Sequence, residues 1–370
     1  MRSGYFLVLY LFCGAALSEP QCITGELFAG AADFGDPMQR AVEGQGLRDA
    51  PPLGWRTLLF VGDKLVTAVG QEVWYTDLGS DQPVLKRVAG VENREGRSAV
   101  AGSCPVARFG NIRGIAAMSD GTLVGTDQTG NDVFLIRSPF GSNCAVSKIA
   151  GATAPQPMID PSHPPNVGDV DGPGVQARLK QPSWLTVLGD VAYFIDDNAK
   201  VKAVSTDATH AIKTLTTLPD GIYYALIGLK GRLYAIGDNT ASEGFIVEID
   251  AASGSMREVL RGRAETWHGS GSINLSGLTT EGTGLLTTQS GLLLYVSLEG
   301  RVSPIAGDGS YIELHSNYDP KILHPAGELQ LWATQRIQTA GSNVFLAYKD
   351  GGIYVSAKGV SPYVERVLCK

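Results

Sequence analysis

Val106-Ala-Arg-Phe109, Ile112-Arg-Gly-Ile-Ala-Ala-Met118, Ser119-Asp-Gly121, Thr122-Leu-Val-Gly-Thr-Asp127 and Asn131-Asp-Val-Phe-Leu-Ile136 form a phrase that the chain repeats. It returns as Asp171-Gly-Pro-Gly-Val-Gln-Ala-Arg-Leu179, Pro182-Ser-Trp-Leu-Thr-Val-Leu188, Gly189-Asp190, Val191-Ala-Tyr-Phe-Ile-Asp196 and Lys200-Val-Lys-Ala-Val204. A loop ending in Ala-Arg-apolar leads into an apolar strand, a tight turn, a second strand closing on Asp, and a third strand. Self-similarity at a fixed interval is the mark of a repeat architecture.

The remaining chain fits the same frame. Gly62-Asp63, Asp120-Gly121, Gly189-Asp190, Gly231-Arg232, Thr283-Gly284 and Ser342-Asn343 each sit between two apolar runs. They read as two-residue hairpin turns, in which Gly, Asn or Asp supplies positive φ. A third and fourth strand follow most turns, as in Val133–Ile136 with Val146–Ala150 and Phe245–Ile249 with Arg257–Leu260. The pattern predicts an all-β fold, a six-bladed β-propeller of four-stranded antiparallel blades, with units spaced at roughly forty to seventy residues. No segment sustains a 3.6-residue apolar period, so helix is expected to be scarce.

On these residues the chain resembles the NHL-repeat propellers. Val88-Ala-Gly90, Ile149-Ala-Gly151 and Ile305-Ala-Gly307 match the family's opening strand end. Ala107-Arg-Phe109 and Ala177-Arg-Leu179 match its middle, and Asp127 and Asp196 its closing Asp. The match is good over 86–204, weaker over 27–77, and topological from 212 onward. The resemblance implies a single propeller domain over 19–370 and a binding habit, since such propellers hold proteins, RNA or small ligands. In that frame Arg108 and Arg178 are expected to bond backbone carbonyls between blades, and Asp127 and Asp196 to cap turns.

Residues 1–18 read as a signal peptide: a charged start, an apolar run from Tyr5 to Phe12, and a small-residue cleavage site at Ala15-Ala-Leu-Ser18. The mature protein is expected to be secreted, monomeric and without membrane insertion, since no later apolar stretch approaches spanning length. Beyond the leader, cysteines remain at 22, 104, 144 and 369, and four allow three pairings. A propeller's first and last segments must meet in one blade, which favours Cys22 with Cys369 and leaves Cys104 with Cys144. That second bond requires the connection from Gly90 to Asn111 to run down the outer edge of its blade.

The long connections Ala31–Gly54, Val91–Gly110, Ala152–Gln181 and Asp308–Ala326 are all expected on one face. The third carries five prolines between Pro155 and Pro165, which predicts a stiff, extended crest. Function is therefore placed at that face, where the inner strands begin. The expected ligand-facing residues are Trp55, Asn111, Arg113, Trp184, Tyr223, Tyr224 and Arg336, since Trp, Tyr and Arg are enriched at binding hot spots. A protein or small-molecule ligand is expected there.

Catalytic and metal motifs are absent from the reading. Asp169-Val-Asp171-Gly172 has calcium-loop spacing but lacks the later ligands. The histidines at 163, 210, 268, 315 and 324 show no zinc spacing. No carboxylate starts an inner strand, and no cofactor is expected. The expected role is a non-enzymatic interaction module, and the alternative is a metal-dependent hydrolase or lyase of the lactonase, arylesterase or peptide-amidating-lyase kind. A net charge of −7 lacks the basic footprint of a nucleic-acid binder. The sequon at Asn274-Leu-Ser276 falls where an inner strand should start, which argues against its glycosylation.

Overall fold

The computed structural model describes residues 22–29, 42–46, 57–91, 101–151, 167–241, 243–262, 276–281, 284–289, 292–307, 309, 324–325, 334–340, 343–348 and 364–369. The expected leader, the proline-rich crest, Trp55, Asn274, His163, His268 and His315 lie outside the described residues. Within them every regular element is a strand.

The chain opens with β1 (Cys22–Ala29) and then builds a sheet from β2 (Leu59–Val61), β3 (Lys64–Val69), β4 (Glu72–Asp77) and β5 (Lys86–Ala89). The next comprises β6 (Gly102–Ser103), β7 (Ile112–Ala117), β8 (Leu123–Asp127), β9 (Asp132–Arg137) and β10 (Ala145–Ala150). A third holds β11 (Ser183–Leu188), β12 (Val191–Asp196), β13 (Lys200–Ser205) and β14 (Ile212–Thr217). A fourth holds β15 (Ile222–Leu229), β16 (Arg232–Asp238), β17 (Gly244–Asp250) and β18 (Met256–Gly262). The fifth holds β19 (Ser276–Glu281), β20 (Gly284–Gln289), β21 (Leu292–Ser297) and β22 (Val302–Ala306).

The last sheet differs in kind. Its order is β23 (His324–Pro325), β1, β26 (Val364–Cys369), β25 (Asn343–Tyr348) and β24 (Thr334–Ala340). Four sheets follow chain order throughout, the second adds β6 outside β10, and the last sets β1 between β23 and β26.

The architecture is an all-β propeller of four-stranded antiparallel blades. The first strands β2, β7, β11, β15, β19 and β24 touch one another in succession, and β24 touches β2, so they line a common axis. The cores are layers between blades rather than one central core. Val124, Leu135 and Ile149 of one blade pack with Leu185, Ala192 and Phe194 of the next. Ala107 and Phe109, and likewise Ala177 and Leu179, are buried in these layers, while Arg108 and Arg178 between them are exposed. The Ala-Arg-apolar phrase therefore works through its flanking residues. The expected bonds from the two arginines to carbonyls are not found among the described residues.

Strand alternation survives most of the reading, but three turns shift. The fourth hairpin turns on Lys230-Gly231, at φ 49° and 76°, because Leu229 pairs with Arg232. In the fifth and last blades the turns fall between Glu281 and Gly284 and between Ala340 and Asn343, again one residue earlier than expected. The Asp120-Gly121 turn widens, since the last pair before it is Ala117 with Leu123.

The connection into the second blade runs down that blade's outer edge, as the cysteines require. β6 adds to β10 as a fifth, outermost strand, and Cys104 bonds Cys144 with Cα atoms 5.4 Å apart. The third blade repeats the manoeuvre without cysteines, where Gly172 bridges Ile212.

Candidate binding face

Each of five inner strands carries a register shift near its first residue. The shifts lie between Ile112 and Gly114, Ser183 and Thr186, Tyr223 and Ala225, Ser276 and Leu278, and Thr334 and Arg336. Arg113, Trp184, Tyr224, Gly277 and Gln335 fall inside them. A bulge breaks the two-residue alternation and re-aims a side chain. Trp184 holds φ at 44°, which a bulky residue adopts only where its surroundings impose it. All five bulges occupy the end of the ring where inner strands start and second strands finish.

Asn111 and Arg113 meet on a residue the sequence reading passed over. Gln128 Oε1 accepts from Asn111 Nδ2 at 3.0 Å and from Arg113 Nε at 2.9 Å. Gln128 follows the closing Asp of β8, in a turn with no motif of its own. Asp127 is occupied with the backbone, accepting from Gly110 N at 2.6 Å, Asn111 N at 2.8 Å and Gly130 N at 2.9 Å. It fixes where β7 begins and hence where Arg113 stands.

Tyr223 and Tyr224 separate. Tyr223 is 1% exposed, stacks edge-on against Phe245, and donates its hydroxyl to Pro219 O at 2.7 Å. It is a core residue and leaves the ligand-facing set. The bulge is the reason, since it turns only its neighbour away from the layer. Tyr224 is half-buried, packs against the adjoining layer containing Ala225, Tyr234 and Ile236, and donates to Asp238 Oδ2 at 3.0 Å.

Asp238 closes β16 and is 8% exposed. Burial pushes its pKa up to about 6, against the Tyr224 hydrogen bond, which lowers it. Burial likewise raises the Tyr224 phenol, helped by the Asp238 charge. Asp196, closing β12, is fully buried, and burial lifts its pKa to about 7 despite a bond from Lys180 N at 2.8 Å. One oxygen of each carboxylate has no hydrogen-bond partner among the described residues. The inner strand starts therefore do not exhaust the carboxylates at this end. They start no inner strand, but they finish the strands alongside.

Of the other expected residues, Trp184 is half-buried and packs against the layer containing Tyr193, Ile195 and Tyr223. Arg336 pairs through its backbone with Ala347, directly after the last bulge. The calcium-spaced acids are already occupied. Lys202 Nζ, fully buried, lies 2.7 Å from both Asp169 Oδ1 and Asp171 Oδ1, and Lys200 also pairs with Asp169. Burial would discharge Lys202, but the hydrogen bonds it donates to both carboxylates outweigh it and raise its pKa. An ammonium stands where a divalent ion would sit. Among the described residues no group of three or more His, Cys, Asp or Glu could hold a metal, and no helix is long and apolar enough to cross a membrane.

No family model matches the chain, and no curated protein does. Solved structures similar to it are propellers with low sequence identity. A streptogramin B lyase aligns at 10% identity over 89% of this chain and 97% of its own, with a TM-score of 0.49. Inactive virginiamycin B lyase from Staphylococcus aureus with quinupristin aligns at 11% over 84% and 79%, with a TM-score of 0.47. BamB from Moraxella catarrhalis aligns at 13% over 84% and 71%, with a TM-score of 0.38.

Proposed function

We propose that this chain is an exported, non-enzymatic binding module, a closed six-bladed propeller of NHL type that takes a protein or small-molecule ligand at its bulged end. The observation that supports this reading is the recurrence of a bulge at the start of five inner strands, with Arg113, Trp184 and Tyr224 inside three of them. Their chemistry suits a ligand with an apolar surface flanked by polar groups: an indole for stacking, a phenol, and a guanidinium steadied by Gln128. The Cys104–Cys144 bond supports export, because disulfides persist in oxidising compartments.

Affinity capture from extracellular fluid tests the reading, with wild type, Trp184→Ala and Tyr224→Ala as baits. Both variants should lose the captured species with only a modest fall in Tm. A large stability loss in both would make these rings core packing and overturn the assignment.

One observation favours the enzyme reading. Tyr224 and Asp238 form a part-buried hydroxyl–carboxyl pair whose acid is pushed by burial up to about 6, as a proton-transfer group requires. Stoichiometric calcium or zinc in purified protein would support a metal-dependent hydrolase or lyase instead.

A further inference from the structure

The N-terminal strand β1 and the C-terminal strand β26 form one antiparallel ladder, in which Cys22 and Cys369 are direct partners. Residues facing each other in such a ladder have Cα atoms about 4.5 or 5.5 Å apart and project to the same side of the sheet. Both spacings lie within the Cα range of roughly 4.4–6.8 Å that a disulfide spans. Two cysteines from opposite ends of the sequence are thus brought into bonding register by the fold itself.

A second observation is independent of this ladder. The Cys104–Cys144 bond also lies where a strand has been added to a blade's outer edge, immediately beyond the β6–β10 pairs Ser103 with Ala145 and Gly102 with Val146. The chain crosslinks the β6–β10 ladder at its end, and at the end of the β1–β26 ladder it sets a second cysteine pair. Its remaining cysteine, Cys13, lies in the segment read as a leader.

We infer that Cys22 and Cys369 form a disulfide that clasps the ring covalently through its composite sheet. The bond forms by exchange with an external disulfide, either that of a protein oxidant or oxidised glutathione. The Cys22 thiolate attacks one sulfur of that disulfide, forming a mixed disulfide and releasing one thiolate. The Cys369 thiolate then attacks the Cys22 sulfur and expels the second. Two electrons pass to the oxidant, reducing it to two thiols, and those leaving groups take up the protons the cysteines lose.

The test is peptide mapping of full-length secreted protein after alkylation without reductant. It should yield one linked pair containing Cys22 and Cys369, which separates on reduction. Alkylated Cys22 and Cys369, or Cys22 linked to Cys104 or Cys144, would overturn the inference. Melting of Cys22→Ser, Cys369→Ser and the double variant gives a second readout. Equal losses in Tm that do not add in the double variant are expected. Additive losses, or none, would mean that the two side chains act separately.

Discussion

Asn131 reaches out of its own blade to hold the next one, its Oδ1 accepting from the backbone N–H of Gln181 at 2.8 Å. Asn198 does the same one blade on, accepting from Tyr223 N at 3.2 Å and donating to Gly221 O at 2.9 Å. Both asparagines sit at positive φ, 56° and 50°, in the turn between second and third strands. Asn tolerates that backbone region and presents a short acceptor, so one residue shapes the turn and joins the blades.

Asn131→Ala should therefore lose stability twice, through an orphaned N–H and through a strained φ, by about 2 kcal/mol in total. Asn131→Gly relieves the φ and should lose only about half as much. Denaturant unfolding of both separates the contributions, and equal losses would assign the whole effect to the hydrogen bond.

Burial makes this protein more stable in mild acid than in base. Asp196 and Asp238 titrate at about 7 and about 6 in the folded state, above the ordinary 3.8. Between those values the folded chain holds more protons than the unfolded one. Stability from these groups is greatest below about pH 4 and falls as pH rises towards 7, by up to about 1.4 kcal/mol per unit for each group. The lowered carboxyls of Asp169, Asp171 and Asp207 oppose this only below the ordinary carboxylate range. Melting should occur at a higher temperature near pH 5 than near pH 8, and Asp196→Asn should flatten the difference. A wild-type Tm that climbs over that interval would contradict the assignment.

Lys202→Met removes the buried ammonium that Asp169 and Asp171 share. Both carboxylates stay about 40% exposed, so water softens the penalty to about 2 kcal/mol. Calcium should leave the wild-type Tm unchanged and raise that of the variant. Stabilisation of the wild type by calcium would show that the lysine does not fill the site.

The sequence was most legible where residue type performs a backbone task. The Ala-Gly strand ends repeat because Gly90 and Gly151 hold φ at 96° and 94°, where a Cβ would strike the carbonyls of Gln71 and Asn131. The Ala-Arg-Phe phrase repeats because Ala107 and Phe109 fill a layer between blades. The binding face was less legible because its bulges carry no residue signature. Period-two alternation cannot show that Tyr224 lies half-buried on one layer while Tyr223 is sealed inside another. Asp238 looks like any strand-terminal acid in sequence, and only the surrounding fold buries it. Lys230-Gly231 was misplaced by one residue, since a lysine at positive φ gives no warning.

The composite sheet imposes an order on synthesis. Blades made of consecutive strands can form as they leave the ribosome, each on the one before. β1 is made about 340 residues before its partner β26. At about 5–20 residues per second the gap lasts on the order of half a minute. Throughout that time a strand rich in exposed backbone donors and acceptors stands beside a growing polypeptide that offers other edges to pair with. A chain cut short before Val364 would keep most of its sheets and leave β1 only the two-residue β23 to pair with, a ready nucleus for association between copies.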